Sequence, residues 1–149
     1  MSEAKVQKTV VLLSLNDTDK NLIINGIMIS TIFQKELCLC YNYKKKEKSE
    51  IEKIKTQLQL YLSPIKNELP NVKVSTLLLS QNSAGLPETL ADDYEAIIII
   101  AGSRNFQKFS KSLAESSVPF LFINESSEQY STFKKLILPI DLRKENSES

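Results

Sequence analysis

Five short runs of apolar residues that barely alternate constrain this chain more than anything else in it. They are Val10–Leu15 (VVLLSL), Leu37–Tyr41 (LCLCY), Val72–Leu79 (VKVSTLLL), Ala96–Ala101 (AIIIIA) and Phe120–Ile123 (FLFI). A strand with one face in water alternates apolar and polar residues, whereas a continuous run has both faces covered. Between the runs the spacing turns helical. Leu22, Ile29 and Phe33, with Ile23 and Ile27 beside them, lie on one helix face after Thr18, an expected N-cap, and Asp19, whose charge suits the first turn. Gly26 and Ser30, one turn apart, let that helix approach a sheet closely. Ile51, Ile54, Leu58, Tyr61 and Ile65 mark a second helix, which Pro64 is expected to end or kink. A short helix with Pro87 in its first turn and another over Asn105–Ser116 complete the series. Strand and helix in strict alternation predict an α/β fold: three α/β/α layers around a five-stranded parallel sheet.

Composition narrows function mostly by exclusion. The 149 residues suit one domain, and a net charge of +1 gives no field for nucleic acid or an anionic membrane. The lysine-rich KKKEKSE stretch, Lys44–Glu50, has no interleaved aromatics and reads as a solvated loop and the polar start of the second helix. Apolar runs fall well short of the ~20 residues a bilayer requires, and Met1–Lys8 has no signal-peptide core, so a cytoplasmic protein is expected. There is no histidine, which removes Ser-His-Asp and Cys-His catalysis and leaves Cys38 and Cys40 unable to form a typical structural zinc site. Those cysteines alternate within a strand, share a face, and read as small buried thiols. No catalytic residue, metal or cofactor is expected.

The alternation breaks at the end. After a polar linker, 125–132, the segment Phe133–Leu142 reads as a strand with no helix before it. Without a crossover it cannot join a parallel sheet in the usual way.

The order of elements resembles that of universal stress proteins, a cytoplasmic family built on a Rossmann-like, adenine nucleotide alpha hydrolase-like sheet. That family opens with a strand ending in Pro-x-Asp-x-Ser. Here the stretch is LLSLNDT, with Asn16 at the acid's position and Thr18 at the serine's. The acidic approach to AIIIIAGSR and the proline-led VPFLFI are also similar to the family's fourth and fifth strands. KKLILPIDL, with Pro139 and Asp141, resembles the family's opening strand better still, so residues 133–149 are read as the start of a second repeat following a first domain over 1–124.

The resemblance also implies where a nucleotide would sit. Binding members carry Gly-x2-Gly-x9-Gly-Ser/Thr after the fourth strand, where glycines admit backbone N–H groups to the phosphates. Here Gly102 and Ser103 fit the start, but Asn105 takes the second glycine's place and Glu115 the third's, followed by Ser116. Two residues then separate Ser116 from Pro119, where the family has most of a helix. The phosphate loop thus reads as deleted. A strand-to-helix turn with a glycine that relieves the backbone is favoured over a residual anion site.

The resulting expectation is a non-enzymatic domain that does not bind ATP and acts through dimerisation or protein interaction in stress response. The alternative is an ATP- or AMP-binding regulator with a rebuilt loop using Asn16, Asn42, Gly102, Ser103 and Arg104. The expected dimer interface comprises Phe120 and Phe122 on the fifth strand with Leu136, Leu138 and Ile140 on the last. A phosphorylated receiver domain is rejected because Ser80 and Asn124 stand where an Asp and a Lys are needed. A dinucleotide-binding enzyme fails for want of glycine in NDTDKN.

Overall fold

In the computed structural model, which describes residues 6–16, 18–44, 47–113 and 116–124, strands and helices alternate as the apolar runs require. β1 (Lys8–Leu12) leads to α1 (Asp19–Phe33), β2 (Glu36–Asn42), α2 (Lys48–Glu68) and β3 (Val74–Leu79). α3 (Leu86–Tyr94), β4 (Ala96–Gly102), α4 (Phe106–Leu113) and β5 (Phe120–Ile123) follow. The five strands form one parallel sheet in the order β3-β2-β1-β4-β5. The linker 125–132, the strand expected over Phe133–Leu142 with Leu136, Leu138 and Ile140, and Glu115 lie outside the described residues.

Neighbouring residues of one run serve opposite faces, which is why the runs must be continuous. Val11, Leu37, Leu39 and Ile100 pack with Leu22 and Ile27 of α1 and Ile54 and Leu58 of α2. Val10, Cys38, Cys40 and Ile99 pack on the other face with Leu86 and Leu90 of α3 and Phe109 of α4. Gly26 lies where α1 crosses the sheet: a Cβ there would come within 2.5 Å of Val11 Cγ2 and 2.8 Å of Leu37 Cδ1. The expected close approach is therefore present.

Both cysteines are buried and free. Burial pushes the Cys38 thiol up to about 11 and Cys40 well above its ordinary 9.0. The thiolate is the reactive form, so both should resist modification at neutral pH. A thiol-reactive disulfide reagent should label neither residue in native buffer and both in denaturant. Rapid native labelling would show that β2 opens far more readily than its burial implies.

Several boundaries differ from expectation, each for a physical reason. α2 runs through Pro64 instead of ending there. Pro64 and Leu60, the residue whose carbonyl loses its donor, are both on the exposed face, where water can replace the missing bond. β1 stops at Leu12, because Ser14 and Leu15 turn to hydrogen-bond Asp19 and Leu15 takes a positive φ of 63°. β3 begins only at Val74, since Val72 N–H closes a turn onto the Leu69 carbonyl. α4 begins at Phe106 because Ser103–Asn105 form a 3-10 turn first, and its described part runs to Leu113.

Candidate functional site

In an open parallel sheet, ligands bind beyond the carboxyl ends of the strands where the strand order reverses. Here that point lies between β1 and β4. The ends of β1 and β2, the segment before α3, and α4 meet there around a cavity of about 40 Å³. Leu12, Leu13, Leu86 and Phe109 form its apolar wall, and Asn42, Ser83 and Asn105 its polar one. Leu86 is 1% exposed and Phe109 3%, so these side chains belong to the core beneath the crevice.

Of the residues expected to hold a nucleotide, Asn42 alone lines this cavity, joined by Asn105. The Asn42 side chain is engaged at both ends: its Nδ2 donates to the Gln81 carbonyl and its Oδ1 accepts from Gln81 N–H, each at 2.9 Å. It pins the exit of β3 to the end of β2. Gly102, Ser103 and Arg104 continue from β4 into the 3-10 turn, with Ser103 and Arg104 exposed. Gly102 has φ −72° and ψ 148°, which any residue adopts, so the expectation that it relieves the backbone is incorrect. The turn exists, but its conformation does not demand glycine.

Ser116, at the position of the family's phosphate-loop hydroxyl, is turned elsewhere as well. Its Oγ donates to the Val118 carbonyl at 2.8 Å and accepts from Val118 N–H at 3.1 Å, closing a tight turn into β5. Two residues of remaining chain leave room for little else. Phe120 and Phe122 stack on one another at 5.4 Å and pack against Phe109 and Phe106 of α4 at 5.3 and 5.1 Å. Both rings are partly exposed, and β5 is the last strand among the described residues.

The polar centre that sequence reasoning missed is on the other side of β1. Thr18 stands at the cap position of α1, but its side chain makes no cap bond; its hydroxyl and N–H both donate to Asn16 Oδ1. Asp19, expected only to face the helix dipole, is instead fully buried. Its carboxylate accepts from Ser14 N–H at 2.8 Å, Leu15 N–H at 2.6 Å and Tyr61 OH at 3.0 Å. Tyr61 OH also reaches the Asn16 carbonyl at 3.4 Å. Burial outweighs these donors and raises the Asp19 carboxyl above its ordinary 3.8. The available signal was Tyr61 itself: a hydroxyl on an otherwise apolar helix stripe requires a partner.

Among the described residues no cluster of His, Cys, Asp or Glu is placed to hold a metal ion, and no helix is long and apolar enough to cross a membrane.

No family model and no curated protein matches the sequence. Solved structures do match. A universal stress protein from Archaeoglobus fulgidus in complex with dAMP is 15% identical, with a TM-score of 0.66 over 81% of this chain and 100% of its own. A universal stress protein in complex with cAMP is 13% identical, with a TM-score of 0.62 over 83% and 100%. A member of the family from Burkholderia pseudomallei is 14% identical, with a TM-score of 0.62 over 82% and 98%. The chain has the universal stress protein fold.

Proposed function

We propose that this chain is a non-enzymatic, universal-stress-protein-like domain of the cytoplasm that has lost nucleotide binding and acts through self-association or protein interaction in stress response. The observation that carries this reading is the small size of the crevice that the described residues leave at the β1/β4 switch point. A cavity of about 40 Å³ is far below the ~300 Å³ at which small-molecule sites begin. Asn42 and Ser116 support it, since their side chains are engaged by the backbones of Gln81 and Val118 respectively. Calorimetric titration with ATP, ADP, AMP and cAMP, each with Mg²⁺, should find no Kd below about 100 µM, or roughly −5.5 kcal/mol. Tighter binding by any of them overturns the reading.

The dAMP and cAMP complexes of the structural neighbours favour the second reading, a nucleotide-binding regulator with a rebuilt phosphate loop. In that case Asn16, Asn42, Gly102, Ser103 and Arg104 are the residues to carry it. A nucleotide at 100 times its Kd would then stabilise the fold by about 2.7 kcal/mol, which a thermal-shift scan registers.

Self-association is assigned to β5 and the C-terminal segment. Among the described residues β5 is an edge strand, and Phe120, Phe122 and the 47%-exposed Phe106 give the adjoining surface an aromatic character. Leu136, Leu138 and Ile140 are to add to it from the partner, an exchange of like elements across a two-fold axis. Light scattering should find a dimer for the full chain, and a monomer or aggregate once the residues after Tyr130 are deleted. A monomeric full chain, or an equally dimeric truncation, removes this part of the proposal.

A further inference from the structure

At the amino ends of the strands, opposite that crevice, three connections surround a cavity of about 420 Å³. They are the approach to β1 at Val6 and Gln7, the α1–β2 turn at Gln34–Glu36, and the α2–β3 connection at Asn71–Lys73. The space arises because α1 ends abruptly. Gln34 adopts φ 55° and ψ 48°, and the N–H groups of Gln34 and Lys35 both return to the Ser30 carbonyl. The chain then enters β2 directly, and none of the described residues fills the gap. The volume lies within the ~300–1,000 Å³ range of small-molecule sites.

The lining has a definite chemistry. Lys35 and Lys73 stand on its wall, with the amides of Gln7, Gln34 and Asn71. Lys35 Nζ donates to Gln7 Oε1 at 2.6 Å, which holds the ammonium across the mouth. The carboxylate on the wall, Glu36, accepts a 2.7 Å hydrogen bond from Ser75 Oγ. A second cavity of about 380 Å³ shares Glu36, Val72 and Lys73 with the first and adds Lys66. Three lysines thus line the two adjoining cavities with one carboxylate, Glu36, that already has a donor. Ser30 supplies an independent sign: it lines the cavity, is 2% exposed, and its Oγ has no hydrogen-bond partner among the described residues. Buried hydroxyls are almost always partnered, and a ligand atom seated here completes this one. Among the described residues the wall carries no aromatic ring on which a base would stack.

We infer that this cavity binds a small anionic molecule, held through a carboxylate or phosphate group by Lys35 and Lys73 and oriented by Ser30, Gln34 and Asn71. The site is independent of the nucleotide crevice and stands whether or not that crevice is closed.

Amide-resolved NMR titration of the full chain with succinate and with inorganic phosphate, at ionic strength held constant with NaCl, tests it. Saturable shifts are expected at Ser30–Glu36 and Asn71–Lys73, with Gly102–Asn105 unmoved. Lys35→Ala and Lys73→Ala should each weaken binding about tenfold or more, and Lys73→Arg should recover most of it. Ser30→Ala should weaken binding several-fold without lowering Tm, because its hydroxyl makes no bond in the free protein. Saturation by one probe alone assigns the carboxylate or the phosphate. Shifts that match the NaCl control, persist in both alanine variants, or fall at Gly102–Asn105 overturn the inference.

Discussion

Replacing Asp19 by alanine should destabilise the fold by about 2–4 kcal/mol, although the residue carries a charge in a buried place. Its carboxylate is the acceptor for the N–H groups of Ser14 and Leu15, and it holds Leu15 at a positive φ of 63°. Alanine leaves both donors unpaired, at about 1–3 kcal/mol each, discounted because they are only part-buried. Tyr61 loses less, since its hydroxyl already reaches the Asn16 carbonyl. Asp19→Asn should cost less than alanine, because the amide oxygen still accepts from one of the two. The charge itself gives a separate signature. Burial raises the Asp19 carboxyl above 3.8, so between 3.8 and the raised value the folded chain binds a proton that the unfolded chain has released. Asp19 therefore makes stability rise as pH falls from neutrality through that window, levelling off below 3.8. Urea unfolding of the wild type and Asp19→Asn across pH 3–7 checks both effects. A difference between them that does not change with pH would contradict the assignment.

Gly26→Ala should also destabilise, against the usual preference of helices for alanine. The added Cβ would meet Val11 Cγ2 at 2.5 Å and Leu37 Cδ1 at 2.8 Å, and both residues are 0% exposed. Val11 is β-branched with a restricted χ1, and so cannot swing aside. Overpacking of this kind costs about 1–3 kcal/mol, and the helical gain of roughly 1 kcal/mol offsets only part. A net loss near 1 kcal/mol is expected for alanine. Gly26→Val forgoes the helical gain and adds two methyl groups, so its loss should approach 3 kcal/mol. Denaturant midpoints at unchanged m-value measure both. A stabilised Gly26→Ala would mean that α1 does not sit this close to the sheet.

The resemblance to a known fold was readable in element order, while of the expected phosphate-loop pattern the sequence shows Gly102 and Ser103 at its start and Ser116 at its end. At 13–15% identity to these structural neighbours the chain keeps their fold, which many apolar residues can satisfy. A phosphate-binding loop tolerates far fewer substitutions. The sequence places Asn105 and Glu115 where that loop's glycines are expected and leaves two residues between Ser116 and Pro119, and the proposed loss of nucleotide binding starts from these positions. What could not be read was Gly102, which looked like a backbone device and has an ordinary φ.

By itself the sequence determined the layers, because burial on both sides demands apolar residues at consecutive positions, and that requirement is one-dimensional. Val10 and Val11, Cys38 and Leu39, and Ile99 and Ile100 each divide between two cores, and the order of letters declares it. Only the tertiary structure decided where the polar groups point. Asp19 meets Tyr61, and Asn42 meets Gln81, across loops and helices whose relative placement exists only after packing. The same holds for the two ends of the sheet. Whether strand ends leave a large cavity or a small one depends on how neighbouring connections converge, and Leu86 and Phe109 line one end while Gln34 turns away from the other.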